Sequence, residues 1–355
     1  MTEKNKILVT GSGGFIGGRI IELLYLTKYK PFVASVKNWS SCTRIGRLPI
    51  EIRKMNLMDI NEVENSLTDI STVIHCAYGS GGVTVEGTKN LLESCLKYGV
   101  NKIIHLSTIE VYTNARGNVT EEYECSFTGN TYGDSKLEAE KICREFMKKG
   151  LQISILRLPI VYGPFSRNWT INIANLLINR KLGKFEKLAD GKCNLLYVDD
   201  LFGIIIKILE NDGAFGEIFN INGDDIISWN EYFGKFNDKL GLPALGSIEV
   251  SKAKFRTTLL KPIRSIGSYL KNNHMDMLKI IASKVTIIDR IMRNTEKKLK
   301  LSLSDDDFKL FSRDAVYDIS KAKKILSYHP TIDSDKGLEL SAAWIRHQGF
   351  LEKVD

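Results

Sequence analysis

Two clusters of residues in this chain of 355 have the types and spacing of a reaction centre. The first is Thr10-Gly11-Ser12-Gly13-Gly14-Phe15-Ile16-Gly17, in which Gly11, Gly14 and Gly17 recur at three-residue steps. Glycines so placed allow a tight turn and close backbone approach, and a helix starting there offers unpaired amides and its positive end to a pyrophosphate. The second is Tyr132-Gly133-Asp134-Ser135-Lys136. Four residues make about one helical turn, so Tyr132 and Lys136 share a helix face. A free tyrosine titrates near ~10 and is a poor base at neutral pH unless a cation lies beside it. Tyr98/Lys102 and Tyr317/Lys321 have the same spacing. The first of these pairs straddles a helix end and a strand start, and the second lies near the C-terminus, so both read as surface residues.

Holding these groups together requires strands and helices in alternation. Residues 6–10 form a short apolar run that ends in glycines, and residues 15–26 carry Ile16, Ile20, Leu23 and Leu24 at helical spacing. The glycine turn therefore joins a strand to a helix, which is the context a dinucleotide fingerprint demands. The alternation continues with strands at 32–36, 52–57, 73–76, 102–107 and 153–158, and helices at 85–98 and 132–147. It predicts a doubly wound parallel sheet of the Rossmann kind. The strand at 102–107 runs into Thr108, whose hydroxyl sits at the carboxyl end, where such sheets bind ligands. Beyond Pro164 the pattern is less regular, with helices predicted at 170–179, 200–209, 229–240 and 338–351. The expected organisation is a dinucleotide-binding domain over 1–165, with 195–225 returning to it, and a smaller substrate-side domain over most of 166–355. No internal repeat or low-complexity tract interrupts it.

Composition excludes several classes. With 43% hydrophobic residues and 32 aromatics, the chain is too apolar for disorder throughout. No apolar run reaches the ~18 residues of a membrane span. The charges at Glu3, Lys4 and Lys6 lead directly into Ile7-Leu8-Val9, too short for a signal-peptide core, so a cytoplasmic location is expected. Six scattered cysteines lack a C-x-x-C pair and five histidines lack an H-x-x-x-H pattern, so free thiols and no metal are expected. The net charge of +8 is local: residues 251–300 hold 13 Lys or Arg against 3 acids, leaving the remainder slightly acidic. No nucleic-acid motif accompanies this charge, and nucleic-acid binding is not expected. Within that stretch Met275, Leu278, Ala282, Val285, Ile288 and Met292 recur at helical spacing among Lys279, Lys284, Arg290 and Arg293. A basic amphipathic helix of this kind packs its apolar face on the domain, lies on an anionic membrane surface through 275–293, or serves as a lid or partner site.

The order and spacing of several motifs resemble the extended short-chain dehydrogenases/reductases of the NAD-dependent epimerase/dehydratase group. They are TGSGGFIGG from Thr10, HCAY from His75, VEGTKNLLES from Val85, HLSTIEVY from His105, YGDSK from Tyr132, RLPIVYGP from Arg157 and LLYVDDL from Leu195. The resemblance covers most of 6–225 and again 316–346. It implies that Tyr132 exchanges a proton with a substrate hydroxyl or carbonyl, that Lys136 binds the nicotinamide ribose and lowers the tyrosine pKa, and that Thr108 hydrogen-bonds the reacting oxygen. It further implies cofactor contacts from Gly11, Gly14, Phe15, Ile16, Gly17, Lys37, Asn56, Leu57, Cys76, Ala77, Tyr78, Lys136 and Pro159. A nucleotide sugar is the small-molecule substrate it implies, and a homodimer is a further expectation.

At the end of the second strand, NAD binders usually place an acid for the ribose hydroxyls. Here the sequence is Val36-Lys37-Asn38, similar to NADP-dependent dihydroflavonol-reductase and hydroxysteroid-dehydrogenase branches. NADP is therefore favoured over NAD, with Lys37 expected at the 2′-phosphate and Arg44 within reach of it. Two positions depart from the family pattern: Asn56 replaces an aspartate commonly set against adenine, and Thr84 replaces an asparagine. Thr108-Ile109-Glu110 resembles the Thr-Asp-Glu of sugar-nucleotide 4,6-dehydratases with isoleucine in place of the general acid. Glu110 reads either as a base or as a loop anchor. The leading expectation is a nucleotide-sugar epimerase or ketosugar reductase. Its alternatives are a 4,6-dehydratase, a reductase of a non-sugar carbonyl such as a flavonoid or steroid, and a catalytically silent NADP-binding regulator.

Overall fold

The structure, a computed structural model, describes residues 5–185, 190–248 and 303–350. The basic stretch 251–300, and with it the amphipathic pattern at 275–293, lies outside the described residues. The chain divides into two compact units.

The first unit takes the described residues up to 162, Asn194–Asp225 and Ala315–Asp333. Its apolar runs become β1 (Lys6–Thr10), β2 (Phe32–Val36), β3 (Ile52–Lys54), β4 (Ile70–His75), β5 (Lys102–Thr108), β6 (Gly117–Val119), β7 (Gln152–Leu158) and β8 (Ile160–Tyr162). Helices α1 (Phe15–Thr27), α2 (Ile60–Asn65), α3 (Gly81–Tyr98) and α4 (Thr131–Lys148) lie between them. The returning segments supply β11 (Leu195–Tyr197), α6 (Val198–Leu209), β12 (Ile218–Asn220), β15 (Ala315–Tyr317) and α9 (Ser320–Leu326). The return of residues 315–333, where β15 pairs in parallel with β6, extends beyond the expected 195–225.

Seven strands form one sheet in the order β12-β7-β5-β4-β1-β2-β3, and every pairing in it is parallel. A parallel sheet carries helices on both faces, which is why its strands read as continuous apolar runs rather than alternating ones. On one face Ile7, Val9, Ala34, Ile74 and Ile104 pack with Ile20, Ile21 and Leu24 of α1 and Leu201, Ile204, Ile205 and Ile208 of α6. On the other, Leu8, Val33, Val73, Ile103 and Ile155 pack with Leu91, Leu92 and Cys95 of α3 and Cys143 and Phe146 of α4. The chain winds outward in both directions from β1 and β4, so their carboxyl ends flank a crevice at the switch point. In register there, Thr10 faces His75, His75 faces His105, and Ser107 faces Arg157.

Several element boundaries differ from the sequence reading. β3 stops at Lys54 because Asn56 turns the chain, its side-chain oxygen accepting the Met58 amide at 3.2 Å. Helix α3 begins at Gly81 rather than 85, since the Thr84 hydroxyl accepts the Gly79 amide at 3.1 Å and folds Gly79 and Ser80 onto the first turn. Among the described residues no helix is long and apolar enough to cross a membrane.

The second unit contains α5 (Ile173–Ile178), β9 (Lys184–Phe185), β10 (Lys192–Cys193), β13 (Ile227–Ser228), α7 (Trp229–Leu240), β14 (Ser247–Ile248), α8 (Asp305–Phe311) and α10 (Ser334–His347). Ser228 opens α7 through a reciprocal capping box with Glu231. Its core is aromatic, the Trp229 ring lying 4.4 Å from Phe311 and 5.6 Å from Phe233.

Candidate active site

β1 ends at Thr10, and the chain must reverse at once to begin α1. Gly11 makes that turn at a φ of +67°, a left-handed value that costs glycine nothing. A Cβ there would lie 2.8 Å from the Ala77 Cα, so the ends of β1 and β4 approach too closely to admit a side chain. At Gly17 a Cβ would lie 2.5 Å from the Gly11 carbonyl oxygen, so the helix packs directly on the turn. Gly14 is the N-cap of α1 and no side chain caps the helix, whose first turn is formed by Phe15, Ile16 and Gly17. The turn thus presents backbone amides and a positive helix end, the arrangement that receives a phosphate.

One hydrogen-bonded chain locks the two strand ends. The Thr10 Oγ1 accepts the amides of Cys76 and Ala77, both at 3.1 Å, and lies 2.8 Å from His75 Nδ1. His75 Nε2 lies 3.1 Å from Thr88 Oγ1, which itself donates to the Thr84 carbonyl at 2.7 Å. With both acceptor positions of Thr10 filled, its proton goes to Nδ1, and with the Thr88 proton committed, Nε2 must donate to Thr88. His75 is therefore neutral and protonated on Nε2, consistent with burial pushing its pKa down to about 3.

Asn130 opens α4, its Oδ1 accepting the amides of Tyr132 at 3.1 Å and Gly133 at 3.3 Å. Tyr132 is 44% exposed, whereas Lys136, one turn on, is 5% exposed and donates from Nζ to the Leu106 carbonyl at 2.8 Å. Tyr78 joins them, its ring edge-on to Tyr132 at 6.1 Å and 5.9 Å from the Lys136 Nζ. Thr108 is buried at the end of β5. Although part of Tyr132 is open, the protein packed around it pushes its phenol up to about 12, with hydrogen bonding to Thr108 opposing and Tyr78 and Glu110 adding to the rise. Burial brings the Lys136 amine down to about 8. The Lys136 amine, one turn of α4 beyond Tyr132, is directed at the Leu106 carbonyl.

A model of the NAD dependent epimerase/dehydratase family matches residues 7–222, which include the glycine turn, Thr108, Tyr132 and Lys136. The chain belongs to that family. It is 28% identical over 260 residues to a dTDP-D-glucose 4,6-dehydratase of Dictyostelium discoideum, covering 63% of this chain and 59% of that protein. It is 27% identical over 296 residues to an uncharacterized UDP-glucose epimerase of Bacillus subtilis, covering 70% and 90% of the two chains. The crystal structure of a UDP-glucuronic acid 4-epimerase from Bacillus cereus in complex with NAD shares the fold, with a TM-score of 0.69, 22% identity and 96% coverage of each chain. The protein is accordingly an enzyme of the NAD-dependent epimerase/dehydratase type.

Lys37 is exposed immediately after β2. Asn38 caps the turn Trp39–Cys42, accepting the Ser41 amide at 3.1 Å and the hydroxyls of Ser40 and Ser41 at 2.8 and 2.7 Å. The Arg44 guanidinium grips Glu22 of α1 at 2.9 and 2.7 Å and donates to the Phe15 carbonyl at 3.1 Å. Asn56 donates its amide to Glu62 at 2.8 Å, and the Leu57 carbonyl accepts from Asn90 at 2.9 Å, fixing the Asn56-Leu57 corner. Pro159 links β7 to β8. Glu110 lies 3.5 Å from the Asn130 amide nitrogen and so is tied to the cap of the helix that bears Tyr132. Among the described residues no cluster of three His, Cys, Asp or Glu side chains is arranged for a metal, and all six cysteines are unpaired.

Sequence reasoning passed over three groups. Glu22, buried on α1, takes Arg19, Arg44 and Arg47 as partners. His105 is buried beside His75, ring centroids 5.3 Å apart, and among the described residues neither of its ring nitrogens has a hydrogen-bond partner. Glu140, one turn of α4 beyond Lys136, forms a buried ion pair with Arg157. The signal available for the last two was a polar residue inside an apolar strand, Ile103-Ile104-His105-Leu106 and Ile155-Leu156-Arg157-Leu158.

Proposed function

We propose that this enzyme is a nucleotide-sugar epimerase or ketosugar reductase, with Tyr132 as the group that moves the proton. The observation that carries the reading is the half-open Tyr132 with buried Lys136 one turn on, and Thr108 at the same carboxyl end of the parallel strands as the Gly11 turn. The chain's own residues fit a dinucleotide. The uncapped start of α1 suits its pyrophosphate, and the side-chain-free approach at Gly11 leaves room for its backbone contacts. When bound, the oxidised dinucleotide supplies the hydride acceptor and a positive charge at the nicotinamide ring. Lys136 holds the ribose, Tyr132 takes the proton of the substrate hydroxyl, and Thr108 hydrogen-bonds the same oxygen.

Ile109 argues against dehydration. It stands where dehydratases of this family carry an acid, it is buried, and a hydrocarbon cannot protonate a departing hydroxyl. Epimerisation and carbonyl reduction need only the one proton carrier.

The test is to incubate the protein with NAD or NADP and, in turn, UDP-glucose, UDP-glucuronic acid, UDP-N-acetylglucosamine and dTDP-glucose, following the sugar by proton NMR. Inversion at a ring carbon or reduction of the matching ketosugar is expected. Tyr132→Phe is expected to bind the dinucleotide nearly as well and to lose ~10²–10⁴-fold in turnover. Release of a 4-keto-6-deoxy sugar, or a Tyr132→Phe variant keeping more than about a tenth of the turnover, would overturn the reading.

A further inference from the structure

Helix α4 presents Tyr132, Lys136 and Glu140 at four-residue steps, so the three lie along one face. Glu140 is 0% exposed. Its Oε1 accepts from Ser107 Oγ at 2.6 Å and Arg157 Nε at 3.1 Å, and its Oε2 accepts from Arg157 Nη2 at 2.8 Å and Arg144 Nη2 at 3.0 Å. Ser107 and Arg157 are opposite residues in the β5–β7 register, so one carboxylate fixes the helix to two adjacent strands. Arg157, 1% exposed, continues outward: Nη1 donates to the Tyr112 hydroxyl at 2.9 Å and to the Glu121 carbonyl at 3.0 Å. The Tyr112 hydroxyl donates in turn to Asn220 at 2.6 Å. Thr108 and Tyr112 bound the short turn Ile109–Val111. The ion pair therefore reaches the Thr108 segment twice, through Ser107 before it and Tyr112 after it.

A buried ion pair is a weak source of stability, because desolvating both charges offsets their attraction and apolar residues of similar volume often hold a core as well. What a two-point guanidinium–carboxylate pairing supplies is direction, since both partners are planar and their hydrogen bonds are parallel. We infer that Glu140 and Arg157 are positioning residues for proton transfer, holding α4 in the one register that sets the Tyr132 phenol against the Thr108 hydroxyl. This rests on the reading of Tyr132 given above. A slip of ~1 Å at a reacting group costs on the order of 10²-fold in rate, so the loss should appear in kcat and not in cofactor binding.

Glu140→Gln alone leaves a guanidinium buried without its counter-charge and destabilises the chain. The deciding variant is therefore Glu140→Met with Arg157→Met, made in the full chain with NAD bound and assayed on UDP-glucose, or on whichever tested sugar nucleotide the wild type turns over. A second readout, independent of turnover, is the Tyr132 Cζ resonance in carbon-13 tyrosine-labelled protein, assigned by its loss in Tyr132→Phe. Expected are a folded protein with NAD affinity and KM within about threefold of wild type, kcat lowered ~10–100-fold, and a displaced Tyr132 resonance as the ring shifts against its surroundings. A kcat within about threefold with an unmoved resonance overturns the inference. Loss of NAD binding or of the fold along with kcat also overturns it, because a merely structural pair behaves that way. If Tyr132→Phe keeps its turnover, the acid/base reading is what fails, and the resonance alone decides whether the pair positions the phenol.

Discussion

Gly11→Ala tests the cradle most directly, because two separate penalties can be worked out at that position. An L-residue held at a φ of +67° gives up about 1–2 kcal/mol relative to glycine. The added Cβ would stand 2.8 Å from the Ala77 Cα and 2.9 Å from its nitrogen, both backbone atoms that cannot rotate away. Forcing one methyl into such a place costs about 1–3 kcal/mol more, for a total of roughly 2–5 kcal/mol. Relief requires moving the Cys76-Ala77 segment, which breaks the two amide bonds to Thr10 and displaces the strand end that borders the crevice. Thermal unfolding should show a midpoint lower by about 3–7 °C, and NADH titration followed by its fluorescence should show at least about tenfold weaker binding. Gly82→Ala is the matched control, since Gly82 is exposed in the first turn of α3 and an added Cβ meets nothing within 4 Å. It should leave binding unchanged and stabilise the chain by about 0.5–1 kcal/mol. A Gly11→Ala protein with wild-type midpoint and affinity would refute both the close approach and its role in the cradle.

The histidine pair predicts an acid-sensitive fold. His75 titrates at about 3 when folded against about 6.5 when unfolded, so between those values the unfolded chain binds the extra proton. The stability His75 contributes is complete above pH ~6.5 and falls by about 1.4 kcal/mol per unit as pH drops toward 3. His105, also held well below its usual value by burial, acts in the same direction. His105→Phe should therefore flatten the pH 7 to 5 slope in urea unfolding. It should change stability at pH 7 by no more than about 1 kcal/mol, since no hydrogen bond is lost; an unaltered slope would show that His105 titrates normally. The 2′-phosphate contact expected of Lys37 from its place after β2 is tested by Lys37→Asp, which should shift the NADPH-to-NADH affinity ratio toward NADH by about 10- to 100-fold, a contact worth roughly 1.5–3 kcal/mol. An unchanged ratio in paired titrations would leave Lys37 a surface charge.

The sheet was legible because parallel strands buried on both faces leave an unmistakable trace, a short apolar run between helical patterns. β1, β2, β5 and β7 were each placed within about a residue of their observed ends for that reason. β12 and β15 have three residues each, too few for any period, and their place comes from pairing with strands distant in sequence. The glycine turn was legible because steric need fixes the residue type. The partner of Arg44 was not legible, because charge alone does not name one: its guanidinium is held by Glu22, an acid on the buried side of α1. Glu140 went unread among the charges of Glu138, Lys141 and Arg144, although its four-residue step from Lys136 already set it on the inward face.

The two pKa directions at the centre of the site have one cause and bear on one another. Burial favours the uncharged form of both groups, which raises the Tyr132 phenol to about 12 and lowers the Lys136 amine to about 8. In the chain alone a phenolate is thus disfavoured by more than four pH units at neutrality, a factor of over ~10⁴. If Tyr132 is the base, positive charge brought by the oxidised dinucleotide, and a Lys136 drawn from Leu106 toward the ribose, must recover that deficit. Proton transfer would then be available only to the loaded enzyme. The same phenol, left protonated near a reduced cofactor that lacks the ring charge, is set to return the proton when hydride comes back. Burial thus sets the two groups against ionisation together, and any charge that stabilises the phenolate has to come from outside the pair as the chain alone presents it.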